Sequence, residues 1–229
     1  MTKAIVLVSP DNPTGSVLTR DDLEAIADIA KKHDLLVISD EIYEKFVYDG
    51  VKNLSIASLP GMKKCTITLN GFSKTYAMTG WRLGYIVADE AIMRRISTVH
   101  NLIFPLCSIT QKDGLAAVTG PQDSVNEMVM QYQARRDLAV NELNKIEGIS
   151  CRKPAGGIYV YPKILGLGIS LYDFSARLLK EHKVLTYPGT AFGDGGKGYL
   201  RLSLTTAPQN IKAWISQIKE MKGELNFAK

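Results

Sequence analysis

The chain has 229 residues, 45% of them hydrophobic and 22% charged, a composition typical of one large globular domain or two small ones. No apolar run approaches the roughly 20 residues of a membrane helix, and the formal charge of +5 is spread without a basic block, so we expect neither membrane insertion nor nucleic-acid binding. The three cysteines are odd in number and lack metal-ligand spacing. They predict reduced thiols in a cytoplasm and no metal site.

The chain begins with a predicted strand, helix and second strand. Residues 4–8 are apolar and predict a strand, while residues 20–33 carry apolar side chains at helical spacing. Thr19 and Asp22 form a capping-box pattern at the start of this helix. Residues 35–39 are continuously apolar, as in a buried strand of a parallel sheet. This order predicts a right-handed βαβ unit.

Polar segments follow both of these strands. Asn-Pro-Thr-Gly at 12–15 has the proline and glycine of a tight turn, and Asp40-Glu41-Ile42-Tyr43 stands directly after the second strand. Taken alone, the first segment is an ordinary turn and the second is the solvated start of a loop. We interpret Glu41 and Glu44 as surface charges.

A third predicted strand, residues 65–69, leads into a glycine-containing segment with Lys74 and Arg82. Parallel-sheet proteins bind their ligands at the carboxyl ends of strands, where Lys74 stands. A lysine amine is a nucleophile when unprotonated, and an arginine fork suits a phosphate. For this segment alone, two solvated cations in a polar loop remain the alternative.

The rest of the chain is predicted to alternate helices and short strands. A boundary at Gly120-Pro121 separates a first domain, residues 1–120, from a second domain, residues 121–229. The predicted elements are a strand at 83–88, helices at 90–102 and 108–118 separated by a break at Phe104-Pro105, a long linking helix at 122–146, a helix at 172–182, strands at 184–187 and 198–204, and a helix at 208–223.

The segment from Ser73 to Tyr85, Ser-Lys-Thr-Tyr-Ala-Met-Thr-Gly-Trp-Arg-Leu-Gly-Tyr, closely resembles the cofactor-lysine segment of the fold type I pyridoxal-phosphate aminotransferases of class I/II, a group that includes aspartate aminotransferases. The Asn-Pro-Thr-Gly and Asp-Glu-Ile-Tyr segments, and an Arg-Leu-Ser motif that begins at Arg201, appear in that family's order. The resemblance implies an α/β fold in three layers, with a mostly parallel sheet in a partial cofactor-binding large domain and a smaller α+β C-terminal domain. It also implies that the strands lie in the order 83–88, 65–69, 35–39 and 4–8.

The resemblance assigns roles to individual residues. Lys74 is expected to form a Schiff base with pyridoxal 5'-phosphate and then to move the substrate Cα proton as general base and acid. Asp40 is expected to keep the pyridine nitrogen protonated, and Tyr43 to donate to the phenolic oxygen of the ring. The implied reaction moves an amino group between an amino acid and a 2-keto acid. The remaining assignments are Asn12 to the phenolic oxygen and the substrate carboxylate, Ser73 and Arg82 to the cofactor phosphate, and Arg201 to the substrate carboxylate.

Relatives carry a long segment before the Asn-Pro-Thr-Gly motif, which supplies further phosphate contacts and a ring that stacks on the cofactor. We therefore expect that this chain alone either pairs with a separate N-terminal piece or binds the cofactor weakly. The resemblance also implies a homodimer. Gly71 stands where many relatives have a phosphate-binding serine. Two other functions stay open: a different reaction on the same cofactor, such as β-elimination at a C–S bond or decarboxylation, and a non-catalytic fragment that serves as an interaction module.

Overall fold

The computed structural model describes residues 2–100 and 106–227, so the predicted break at Phe104-Pro105 lies outside the described residues. The chain divides into two compact units, one formed by Met1–Asp11 with Ser16–Met128 and the other by Asn12–Gly15 with Val129–Lys229.

The first unit is built on a four-stranded sheet with the strand order β1-β2-β3-β4. Its strands are β1 (Ala4–Val8), β2 (Leu36–Asp40), β3 (Thr66–Gly71) and β4 (Gly84–Val87). The first three strands are parallel, and β4 pairs antiparallel with β3. The predicted strand order and the predicted mostly parallel α/β sheet are both confirmed.

Helix α1 (Arg20–Lys32) covers one face of this sheet. It begins with the predicted capping box, in which Thr19 and Asp22 each bond the other's backbone. Its buried face, Leu23, Ala27 and Ala30, packs with Val37 of β2. Two 3-10 turns that precede β3, Ile56–Ser58 and Met62–Lys64, add their own apolar side chains to this cluster. The helix therefore forms because its capped start and its apolar stripe agree with the sheet below it.

Three further helices of the first unit follow β3: α2 (Phe72–Thr75), α3 (Glu90–His100) and α4 (Ser108–Thr119). The side chain of Asp89 accepts a hydrogen bond from the amide of Ala91 at the start of α3. Leu69 of β3 and Ile86 of β4 are opposite each other in register and line a cavity of about 420 Å³ with residues of α3.

The second unit contains short antiparallel strands and long helices. Helix α5 (Asp123–Leu143) enters it at Val129 and is followed by α6 (Leu171–His182) and α7 (Pro208–Phe227). The strands are β5 (Ile149–Ser150) paired with β7 (Lys163–Ile164), and a sheet of β6 (Tyr159–Val160), β9 (Leu200–Ser203) and β8 (Tyr187–Pro188) in that order. One apolar core joins these helices to the strands.

The strand predicted at 184–187 is wrong for most of its length, because β8 begins only at Tyr187. Lys183 takes a left-handed conformation (φ 59°) as the C-cap of α6, and the amide of Val184 bonds back to the carbonyl of Leu178 at 3.1 Å. The apolar run after α6 thus ends the helix instead of starting a strand. No helix of the described residues is long and apolar enough to cross a membrane.

Candidate active site

The parallel strands β1, β2 and β3 end at one edge of the first unit's sheet, and Asp40 is the last residue of β2. It lies in register with Val8 on one side and Leu69 on the other. Its Oδ1 accepts a hydrogen bond from the amide of Ile42 at 3.0 Å. This bond holds the carboxylate in the turn that leads to Tyr43.

Tyr43 and Lys74 meet at this edge of the sheet. The ring of Tyr43 is 4% exposed, and the Lys74 Nζ lies 6.0 Å from its centroid. Lys74 is half-buried on α2, which begins directly after β3 and also carries the half-buried Ser73. Because β2 and β3 are parallel neighbours, α2 places Lys74 at the edge where Asp40 stands.

Arg82 precedes β4 in a left-handed backbone conformation (φ 53°) and is exposed. Its Nη1 donates to the carbonyl of Thr79 at 3.0 Å, which closes the 3-10 turn Thr79–Trp81. Leu83 next to it is buried with Phe72. The guanidinium carries four more N–H groups that suit a phosphate.

Gly71 explains one departure from the family pattern. A Cβ at this position would lie 3.0 Å from the carbonyl oxygen of Leu83 and 3.3 Å from the Cα of Gly84. Both are backbone atoms of the segment that pairs with β3, so a side chain here would push the two strands apart. Glycine therefore allows the close approach of β4 to the end of β3.

The interpretation of Glu41 as a surface charge is wrong. Its side chain is 4% exposed, and its Oε1 accepts hydrogen bonds from the hydroxyls of Ser39 (2.9 Å) and Ser55 (2.7 Å). Burial raises the pKa of this carboxyl, and the negative charges of Glu44 and Asp40 add to the increase, while the two hydroxyls oppose it. Side chains of β2 alternate between the two faces of the sheet, and this alternation continues for one residue past the end of the strand. Glu41 therefore points to the same covered face as Ser39.

The second unit holds the two residues assigned to the substrate carboxylate. The Arg201 Nη1 donates to the Asn12 Oδ1 at 2.9 Å, although 189 positions separate them in the chain. The turn that carries Asn12 is held at Gly15, whose carbonyl accepts from the amide of Gly156 at 2.9 Å. Gly15 has φ +67°, and a Cβ there would overlap the Cβ of Pro154 and the carbonyl oxygen of Gly156.

The predicted site residues thus form two sets, each within its own unit. The first unit gathers an amine, a carboxylate, a phenol, a hydroxyl and a guanidinium, and the second pairs an amide with a guanidinium. Sequence reasoning missed the rings around Arg201, because two of them reach it only through the pairing of β6, β8 and β9 and the third through a 3-10 turn. The first set is Asp40, Tyr43, Ser73, Lys74 and Arg82, and the second is Asn12 and Arg201.

Comparison with known proteins agrees with these motifs. The sequence profile of the family described as aminotransferase class I and II matches residues 1–218. Aromatic-amino-acid aminotransferase 2 of Thermococcus litoralis and an aspartate aminotransferase of Pyrococcus abyssi are each 44% identical to this chain over 230 aligned positions, which cover 97% of this chain. The chain spans 58% of the length of each of these relatives.

Solved structures give the same result. The crystal structure of an aromatic aminotransferase from Pyrococcus horikoshii superposes with a TM-score of 0.91 at 43% sequence identity, covering 97% of this chain and 60% of that one. An aspartate aminotransferase from Rhizobium meliloti also gives a TM-score of 0.91, at 33% identity. The implied fold is therefore confirmed, and the chain belongs to the aminotransferase class I and II family.

Proposed function

We propose that this chain serves the transfer of an amino group between an amino acid and a 2-keto acid, with pyridoxal 5'-phosphate as cofactor. The observation that carries the proposal is the position of Lys74, whose amine stands 6.0 Å from the buried ring of Tyr43 at the sheet edge where β2 ends in Asp40. We assign the cofactor to the first domain, residues 1–120, and treat residues 121–229 as the smaller domain.

The residues of the first unit suit this cofactor by their chemistry. Lys74 offers an amine to an aldehyde, Asp40 a carboxylate to a protonated ring nitrogen, and Tyr43 a hydroxyl to a ring oxygen. Arg82 and Ser73 offer donors to a phosphate. When bound, pyridoxal phosphate supplies an aldehyde that exchanges amines and a ring that accepts electrons from the substrate Cα.

The chain's own residues then have distinct tasks. Arg201 binds the α-carboxylate of the substrate through two parallel N–H donors, and Asn12 holds the guanidinium in place. The Lys74 amine removes the proton from the substrate Cα and returns a proton during the second half of the reaction. With the cofactor bound, the Asp40 carboxylate would favour a positive charge at the ring nitrogen.

The proposal also covers the substrate class, the oligomeric state and the cellular location. The two relatives named for aromatic amino acids and for aspartate are equally similar to this chain, so the proposed substrate class is 2-amino acids in general.

A homodimer is supported by an open groove of about 440 Å³ along α4, where Leu115 and Val118 are 63% and 47% exposed. The three free thiols support a cytoplasmic location.

The lysine assignment is tested by reductive trapping. The chain is mixed with pyridoxal phosphate and treated with borohydride, which reduces the bond between the aldehyde and a lysine amine to a stable single bond. The modified peptide is then identified by mass spectrometry. We expect one modification per chain, on Lys74, and none on that peptide in Lys74→Ala. Lys63→Ala, which removes an exposed lysine of a 3-10 turn, is the control and should trap as the wild type does. Modification spread evenly over exposed lysines would contradict the assignment. Release of a 2-keto acid from an added amino acid tests the reaction itself.

A further inference from the structure

The Arg201 guanidinium is half-buried and is surrounded by aromatic rings. Its Cζ lies 4.4 Å from the ring centroid of Tyr159, 4.7 Å from that of Tyr187 and 4.6 Å from that of Phe192. We call these three residues the aromatic cage. Rings attract a cation through their quadrupole and leave its charge uncompensated.

Arg201 has no anionic partner among the described residues. Within residues 2–100 and 106–227, no aspartate or glutamate forms an ion pair with it. Arg136 and Arg177, by contrast, pair with Asp137 and Glu181. A partly buried cation that is held by rings and an amide, and not by a carboxylate, is available to an external anion.

The sheet of the second unit builds two walls of the cage. Tyr187 of β8 stands directly opposite Arg201 of β9, and Tyr159 of β6 stands opposite Ser203. Arg201 and Ser203 are two residues apart, so they and both tyrosines project from one face of the sheet. Leu200 and Leu202 project from the other face into the core.

Phe192 forms the third wall from a loop. It ends the 3-10 turn Gly189–Phe192, and its ring meets that of Tyr161 edge to face with centroids 6.5 Å apart. Tyr161 is in turn stacked on Tyr199 at 4.9 Å. A Cβ at Gly189 would overlap the Tyr161 hydroxyl and the carbonyl oxygen of Gly196. The loop can therefore pack closely enough to fix Phe192 only with glycine at this position.

We propose that the aromatic cage positions Arg201 for a carboxylate and determines how tightly the carboxylate binds. The inference rests on the proposed function and deepens it by naming three positioning residues. The rings restrict the rotation of the planar guanidinium and exclude water from its faces. The Arg201 side chain therefore loses less conformational entropy when its remaining N–H groups bind a carboxylate. The loss of one wall is expected to weaken carboxylate binding without removing the charge.

The experiment follows the side-chain N–H signal of Arg201 by NMR in the full chain labelled with ¹⁵N-arginine. The signal is assigned by its absence in Arg201→Lys, and pyruvate is titrated as the simplest 2-keto acid. We expect saturable binding in the wild type. Phe192→Leu and Tyr187→Leu should each bind pyruvate about two- to tenfold more weakly and should lose part of the ring-current shift of the Arg201 signal. Tyr187→Phe keeps the ring and should bind within about twofold of the wild type.

The outcomes separate this inference from the proposed function. Phe192 is 38% exposed and Tyr187 is 44% exposed, so both variants are expected to fold, and either one alone decides the test. Unchanged pyruvate affinity in the leucine variants, with an Arg201 signal that still responds to pyruvate in the wild type, would overturn the cage and leave the role of Arg201 intact. An Arg201 signal that does not respond to pyruvate in the wild type would overturn both.

Discussion

Among single residues, Glu41 shows most directly how burial of a charged group makes the stability of the fold depend on pH. It is buried with two neutral hydroxyl donors, and no cation of the described residues pairs with it. Its pKa in the folded protein is raised above the ordinary value of 4.5, mainly because burial disfavours the charged form. An acid of this kind contributes stability below its unfolded pKa, and the contribution is lost as the pH rises through the folded pKa. Glu41 therefore contributes less to the stability of the fold at pH 7, where it is ionised, than at pH 4, where it is protonated.

We expect Glu41→Gln to remove this dependence, because glutamine keeps the Oε1 acceptor for both hydroxyls and cannot ionise. The difference in free energy of unfolding, variant minus wild type, should be more positive at pH 7 than at pH 4, so the variant gains stability over the wild type at the higher pH. Urea unfolding at both pH values measures this difference. Glu44→Gln, at a half-buried position nearby, is the control and should show a smaller difference. A variant that loses more stability at pH 7 than at pH 4 would contradict the assignment.

The cysteines should differ in reactivity because their surroundings differ. Cys107 is exposed at the start of α4, and hydrogen bonds from the backbone amides of Thr110 and Ile109 lower the pKa of its thiol. Cys151 is buried, and burial raises the pKa of its thiol to about 12. We expect iodoacetamide at pH 7.5 to alkylate Cys107 first and Cys151 only after unfolding, as read by peptide mass spectrometry. Alkylation of Cys151 at the same rate in the native chain would refute this account.

At the level of secondary structure, prediction succeeded where one local signal dominated. The capping box at Thr19 and the apolar stripe after it determine α1, and the apolar run before Asp40 determines β2. It failed after α6, where Val184 is apolar but the left-handed Lys183 turns the chain back on the helix. Local hydrophobicity cannot distinguish a helix end from a strand start when the deciding contact is a backbone bond to the previous turn.

The same limit applies to the candidate site. The motifs and their resemblance to a family name Lys74, Asp40 and Arg201 as candidate site residues from the sequence alone. The burial of Glu41 could not be predicted, because it depends on Ser55, which is 14 positions away along the chain. The aromatic cage depends on the register of three antiparallel strands and on the packing of the turn that carries Phe192, neither of which the sequence pattern alone gives.

The turn at residues 12–15 gives a prediction about an element. Gly15→Ala forces a left-handed φ on alanine and overlaps Pro154 and Gly156, so we expect a loss of about 2–4 kcal/mol in the free energy of unfolding, seen in urea titrations. Gly50 has φ +77°, and no atom lies within 4 Å of the point that a Cβ would occupy there. Gly50→Ala therefore reports the backbone strain alone and should cost about 1 kcal/mol. Equal losses in the two variants would show that the packing around Gly15 contributes nothing.

For the whole molecule, the two tryptophans allow each unit to be observed separately. Trp214 is 8% exposed in the core of the second unit, and Trp81 is 45% exposed in the first, where its Nε1 donates to the Asp113 carboxylate at 2.7 Å. The apolar core of the second unit is larger than either of the two apolar clusters described in the first unit, so the second unit should resist denaturant longer. We expect Trp81→Phe, which leaves only Trp214, to report unfolding at higher urea concentration than Trp214→Phe does. Coincident midpoints would indicate a single cooperative transition.

The lack of a carboxylate partner for Arg201 within the described part of the chain also has a practical consequence. Any small anion in the buffer reaches the same guanidinium as a keto acid, and tetrahedral oxyanions such as sulfate match its fork well. Apparent affinities measured in phosphate or sulfate will therefore understate those measured in buffers whose anions are bulky and singly charged. The choice of buffer becomes part of the measurement wherever ligand capture by Arg201 is compared between variants.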